Sequence, residues 1–331
     1  RYTRKESMNM ADTATMTDGK RTSSGAARRK RSYRDSSLGD RIFDICNHTF
    51  LVCLMIVTLY PFVNTLAVSF NNATDSLKGG IYLWPRDWTL ENYKYVFNEA
   101  TILGATVISV LRTVIGTVAT VFFSAMVAYT ISRQEYVLRK FVSIAFILTM
   151  YFSGGLIPTF LLVRDLGLIN SFWVYIWPGL IGVFNLIVIR SFIEGLPESV
   201  IESARIDGAG EFRTFISIVL PLCVPVLATV ALFTAVYQWN SWFDVFLYNS
   251  SKVELSTLQY ELQKILQNSN ATASRTAADA FASSGNGSSN KVTPLSIRAT
   301  MTIVAAVPII LVYPFLQKYV VKGMMVGGVK G

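Results

Sequence analysis

Apolar residues run in long blocks along this chain rather than alternating with polar ones. Six stretches, 50–70, 113–131, 141–163, 171–189, 218–237 and 299–317, contain no Asp, Glu, Lys or Arg. A helix rising about 1.5 Å per residue needs about 20 such residues to cross about 30 Å of hydrocarbon, so each block predicts a membrane-spanning helix. The expected fold class is therefore an all-α membrane protein with six transmembrane helices. An even number of crossings puts both termini on one side. Pro and Gly punctuate the blocks, at Pro61, Gly154-Gly155 with Pro158, Pro178, Pro221 with Pro225, and Pro308 with Pro314. In lipid, broken helices are tolerated where protein or a water-filled cavity satisfies the freed backbone groups, so a polar path through the bundle is expected.

The polar segments between the blocks have their own organisation. Residues 195–208, GLPESVIESARIDG, read as a helix of about three turns. Pro197 suits its first turn, Glu198 and Glu202 favour its positive end, and Gly208 takes the left-handed conformation that stops it. Val200, Ile201 and Ala204 line one face and Glu198, Glu202 and Arg205 another. Ser203, Ala204 and Gly208 are small enough for a second surface to approach closely. Amphipathicity alone equally suits a helix lying on lipid. In IYLWPRDWTLENYKYVF, 81–97, the rings of Trp84, Trp88, Tyr93 and Tyr95 suit the headgroup level, and Thr89 is placed to cap an interfacial helix. The large segment 239–294 opens with WNSWFDVFLY, continues through a helix-like stretch at 257–267, and runs into a Ser/Ala/Gly/Asn linker over 269–293.

Composition sharpens this picture. With 52% hydrophobic and 15% charged residues the chain is far less charged than soluble domains, which average roughly 25%. Its mean hydropathy is +0.42. The net charge of +9 is unevenly spread: eleven Lys and Arg lie in 1–41. With the N-terminus inside, twenty basic residues fall on the cytoplasmic side and eight outside, which sets the topology. Residues 1–40 lack the apolar positions to fold and are expected to be a disordered cytoplasmic tail, with Met8, Met10 and Met16 as candidate starts. Its basic cluster is explained by orientation and contact with membrane lipid, with no nucleic acid involved. His48 is the only histidine, which excludes a multi-histidine metal site. Cys46, Cys53 and Cys223 lack CxxC spacing and read as small core residues.

Glu202-Ser203-Ala204, Asp207-Gly208-Ala209 and Ile218-x-Leu220-Pro221 together resemble the cytoplasmic signature of ABC importer permeases, in which Glu-Ala-Ala is followed by Gly and then Ile-x-Leu-Pro. Ser203 replaces an Ala, small for small. The stretches WTLENYKYVF at 88–97, FSGGLIPTFLLVRDLGLINSFW at 152–173 and QKYVVKGMMVGGVKG at 317–331 are similar to the carbohydrate-importer branch, in the subunit equivalent to the second permease of the maltose importer, within the group serving complex-polysaccharide fragments in Gram-positive bacteria. The resemblance covers roughly residues 40–331.

It implies a type I ABC importer permease fold over 41–331, with the coupling loop at 195–217 and an extracellular loop at 239–294. The implied partners are a second, different permease subunit, two ATP-binding subunits and an extracellular lipid-anchored solute-binding protein, with oligosaccharide as cargo. Glu202, Ser203, Ala204, Asp207, Gly208, Ala209, Leu220 and Pro221 would meet an ATPase. The tail residues Lys322, Gly323, Gly327, Gly328 and Lys330 would reach the ATPases too, or else form a basic membrane edge. This chain carries no cofactor: ATP and Mg belong to the partners, because the Gly-x-x-x-x-Gly-Lys-Ser/Thr loop is absent, with Ala14 and Arg21 breaking the nearest approach to it at Gly19-Lys20. It is expected to be a transport subunit and not an enzyme, in the plasma membrane of a Gram-positive bacterium.

Candidates for the translocation path are Tyr151, Asn185, Gln238, Asn240, Arg112 and Arg298. The two arginines either face protein and water or snorkel to the outer boundary. Trp239, Trp242, Phe243 and Tyr248 are candidates for contact with the binding protein. The alternative function is a secondary transporter or channel for a small polar solute, which membrane-embedded acids or an internal repeat would favour. The six apolar blocks contain no acid.

Overall fold

The computed structural model describes residues 38–273 and 292–328, and the side chains of 38–267 and 292–314 within them. The basic tail up to residue 37, most of the linker, and Lys330 lie outside the described residues. The chain divides into two compact units, residues 1–56 and 57–331. Helix α1 (Leu38–Ser69) is continuous. Its portion in the first unit is exposed, including Phe43, Ile45, Phe50 and Leu54. Cys46 and Cys53 are exposed with it, against the expectation of core cysteines; Cys223 is buried as expected. His48 pairs through Nδ1 with the Asp44 carbonyl at 2.7 Å, a local contact of the helix.

The second unit is helical among its described residues, apart from an isolated antiparallel bridge between Asn71 and Trp88. After the short α2 (Ala73–Ser76) comes α3 (Glu91–Asn98). Thr89 Oγ1 accepts from the Glu91 amide at 3.1 Å, but the helix begins one residue later than expected and Leu90 rather than Thr89 holds the N-cap position. Helix α3 is packed rather than free on the surface, because Val96 is fully buried and Asn92 donates to the carbonyls of Ser69 and Asn71. Helix α4 (Ala100–Ser132) is the central element. Its buried positions are mostly small, including Ala105, Ser109, Gly116, Thr120, Ser124, Ala125 and Ala128. Small residues let helices approach closely where lipid provides no hydrophobic drive for association. Packed on α4 are α7 (Val183–Ile193) and α11 (Val224–Asn240).

Two predicted spans are broken. Block 141–163 forms α5 (Arg139–Tyr151) and α6 (Leu156–Asp165), separated by residues 152–155. Gly155 has φ +89°, and Gly costs about 1 kcal/mol against Ala inside a helix, so Gly154-Gly155 stops the run. Block 171–189 contains a 3₁₀ turn (Phe172–Tyr175) and only then α7, because Pro178 lacks an amide donor and Gly179 and Gly182 follow it. The fifth block is bent together with the residues that lead into it: α9 (Glu211–Thr214), a π-helical turn (Phe215–Val219) and α10 (Leu220–Leu222) meet α11 at 81° across Cys223. By contrast α1 runs through Pro61, and the last helix runs through Pro308 and Pro314.

The remaining elements are α8 (Glu198–Ile206), α12 (Phe243–Tyr248), α13 (Leu258–Ala273) and α14 (Pro294–Gly328). By length and composition, Leu38–Ser69, Ala100–Ser132 and Pro294–Pro314 are long and apolar enough to cross a membrane, and the bent pair makes a fourth when counted as one. The core lies in three clusters. One joins the C-terminal half of α4 to α7, α8 and the bend, another joins α3, α11, α13 and α14, and the third gathers Val163, Tyr175, Val245 and Tyr260.

Candidate coupling bend and buried polar layer

Helix α8 forms where its punctuation predicts. Pro197 is the residue before its first turn, Glu198 opens it, and Gly208 has φ +76°, the left-handed value that stops it. The Ala209 amide then returns to the Ala204 carbonyl at 2.9 Å. Ile201 and Ala204 are buried, Ile201 within the cluster that holds Tyr129, Ile193 and Phe215. This seats the helix on its own bundle. Ala204 therefore faces inward, and the outward ridge is Glu202, Ser203, Arg205 and the 86%-exposed Ile206. Asp207 and Gly208 are also exposed and Ala209 is half-buried; Leu220 is half-buried and Pro221 exposed on the neighbouring bend.

Arg205 ties this ridge to its surroundings. Its Nη1 donates to Glu135 Oε1 at 2.5 Å, while Nε and Nη2 donate to Glu211 Oε1 at 3.2 and 2.9 Å. The other Glu211 oxygen accepts from the Tyr129 hydroxyl at 2.6 Å, and the Arg133 guanidinium lies 5.2 Å from the Tyr129 ring centroid. The Arg205 contact holds the Glu135 carboxyl down at about 2, from an ordinary 4.5. Glu135 in turn raises the affinity of Arg205 for its proton, with Glu211 contributing.

The second constellation lies in the N-terminal half of α4. Arg112 is 1% exposed, and its guanidinium forms a two-point ion pair with Asp244 of α12, Nη1 to Oδ1 at 3.2 Å and Nη2 to Oδ2. Its Nε donates to Gln238 Oε1 at 3.1 Å, Nη1 reaches the Ser241 carbonyl at 3.3 Å, and the Tyr175 ring lies 4.5 Å below. Gly116 makes room for this, since a Cβ there would meet Gln238 Nε2 at 2.7 Å. Every charge is matched. Arg112 and Gln238 are closed inside packed protein, so they neither snorkel nor line an open path.

The other path candidates are scattered. Tyr151 is exposed at the end of α5, and Asn185 donates to Thr234 Oγ1 at 3.2 Å. Asn240 is exposed and accepts from Gln259 Nε2, and Arg298 is exposed on α14. Trp239 contradicts its expected role in contacting a binding protein. It is buried and donates from Nε1 to the Ala305 carbonyl at 2.9 Å. Its position in the helical register turns it toward α14. Phe243 is exposed, Trp242 is half-buried, and half-buried Tyr248 stacks on Phe160 at 5.9 Å. Of the tail candidates, Lys322, Gly323, Gly327 and Gly328 continue α14.

Residues 111–326 match the family described as binding-protein-dependent transport system inner membrane component. The chain belongs to this family. The permease is 38% identical to Protein LplC of Bacillus subtilis (strain 168), over 88% of this chain and 96% of that one. It is 36% identical to the Polygalacturonan/rhamnogalacturonan transport system permease protein YtcP of the same organism, over 88% and 99%. The fold superposes on a chain from the crystal structure of a bacterial ABC transporter involved in the import of the acidic polysaccharide alginate, with TM-score 0.77, 27% identity, and coverage of 86% and 98%.

The sequence did not expose Asp244, Tyr175, Glu135, Glu211 or Tyr129 as partners. For Asp244 a signal existed: an Arg directly adjoining an apolar block needs a counter-charge, and Asp244 is the first acid beyond the fifth block.

Proposed function

We propose that this permease carries oligosaccharides, fragments of a complex polysaccharide, across the plasma membrane of a Gram-positive bacterium. Cargo arrives on an extracellular lipid-anchored binding protein and moves between this chain and a second, different permease subunit. Two separate ATPases drive the step. The observation that carries this reading is the α8 ridge, with Glu202, Ser203 and Ile206 turned outward and a Gly208 stop, inside a chain of this family. An ATPase grips that ridge, together with Asp207, Ala209, Leu220 and Pro221, and the tail from Lys322 to Lys330 reaches the ATPases as well.

Six crossings with both termini cytoplasmic support the reading when α5 with α6, and the 3₁₀ turn with α7, are each taken as one interrupted crossing. The basic residues favour this orientation. Breaks within crossings face a cavity or another protein, which fits a path between two permeases beside Tyr151, Asn185, Asn240 and Arg298. Phe243, with parts of Trp242 and Tyr248, offers the aromatic surface to the binding protein. Polygalacturonan and alginate, the cargo polymers in the names of two relatives, are built from carboxylated sugars, so an oligogalacturonide is the first cargo to test.

The experiment is ATP-driven uptake of labelled oligogalacturonide by the complete importer in proteoliposomes. Gly208→Pro, which forces φ to about −65° where the fold uses +76°, is expected to abolish uptake while membrane insertion continues. Uptake at the unmodified rate without ATPase subunits would contradict the reading.

A further inference from the structure

An ATPase that pushes on α8 achieves nothing unless α8 moves the bundle. Two kinds of contact hold α8 in place. The apolar seat at Ile201 and Ala204 resists separation, but apolar contact is non-directional and permits sliding. The Arg205 fork is directional. It spans two carboxylates on different elements: Glu135, in the turn that leaves α4, and Glu211, which opens α9 ahead of the fifth block. Through its second oxygen Glu211 also holds Tyr129, on the last turn of α4.

We infer that Arg205 is a positioning residue for energy coupling: its fork clamps α8 to the cytoplasmic end of α4 and to the start of the bend, so the three move as one body when an ATPase moves α8. The inference rests on the permease reading above. Exposed ion pairs contribute little to stability, about 0–1 kcal/mol each, and Glu135, Glu211 and Arg205 are all partly exposed. The clamp therefore acts on direction of movement rather than on folding, and its loss leaves an assembled complex.

The test uses the complete importer in proteoliposomes, measuring ATP hydrolysed per oligogalacturonide imported. Arg205→Gln is expected to raise that ratio about fivefold, with the ATPases still copurifying. Glu135→Gln is expected to raise it in the same direction, and the double variant no further than the worse single, because both remove one clamp. Arg205→Lys, whose compact ammonium lacks the guanidinium fork, restores only part of the coupling. An unchanged ratio in Arg205→Gln, or additive effects of the two substitutions, would overturn the clamp alone. Absence of ATP-driven uptake in the unmodified complex would instead overturn the permease reading beneath it.

Discussion

Arg112 is enclosed by Asp244, Gln238 and the Tyr175 ring, so removing its carboxylate leaves a buried cation with only neutral partners. Breaking such a pair costs about 3–5 kcal/mol, and the lower end applies because Asp244 is 22% exposed. Asp244→Ala is expected to lower stability by about 3 kcal/mol in thermal denaturation of the detergent-solubilised protein, and Asp244→Leu with Arg112→Met by less than that. The Glu135 carboxyl differs in consequence. Its affinity for a proton is lowered on folding, from 4.5 to about 2, so the Arg205 contact is fully present above about pH 4.5 and is lost only as pH falls toward 2. Between pH 6 and 8 the ratio of uptake by unmodified protein to that by Glu135→Gln should stay constant; a ratio that changed over this window would mean another titrating group controls the clamp. Gly208 was legible in the sequence because a helix stop is a local matter of backbone conformation. Asp244 as partner of Arg112 and Glu135 as partner of Arg205 were not, because they lie 132 and 70 positions away.

At the scale of elements, the long helices α1, α4 and α14 follow from uninterrupted apolar length, and α8 follows from its caps. The breaks in the other blocks do not follow from Pro alone. Pro61, Pro308 and Pro314 sit inside continuous helices, while Gly154-Gly155 and the Pro178 region end theirs, since a helix bridges one missing donor more readily than several weak residues in succession. Trp239 shows why aromatic composition misled: WNSWFDVFLY looks like an interface as a string, but its first Trp still belongs to α11 and turns inward. Its bond to the Ala305 carbonyl lies three residues before Pro308, on the helix it braces. Trp239→Phe removes the donor and the pyrrole half of a buried indole, and is expected to cost about 2 kcal/mol in the same denaturation assay, the lost bond and the lost packing contributing together. A loss below a few tenths would mean that water replaces the bond.

The whole molecule leaves large apolar surfaces uncovered, with Phe50, Ile56, Phe141, Ile144, Ile157 and Leu162 among the exposed side chains on α1, α5 and α6. Lipid and a second permease supply the missing apolar contact in the proposed assembly. At the cytoplasmic end the same account leaves a polar ridge for an ATPase. Its central claim is that the ridge on α8 is gripped there, and the most direct measurement is photo-crosslinking in membranes from cells carrying a photoreactive residue at single positions of α8. Adducts with an ATP-binding subunit are predicted from positions 202, 203 and 206, and none from the buried positions 201 and 204. Adducts with lipid alone from 202, 203 and 206, alongside full ATP-driven uptake, would contradict it.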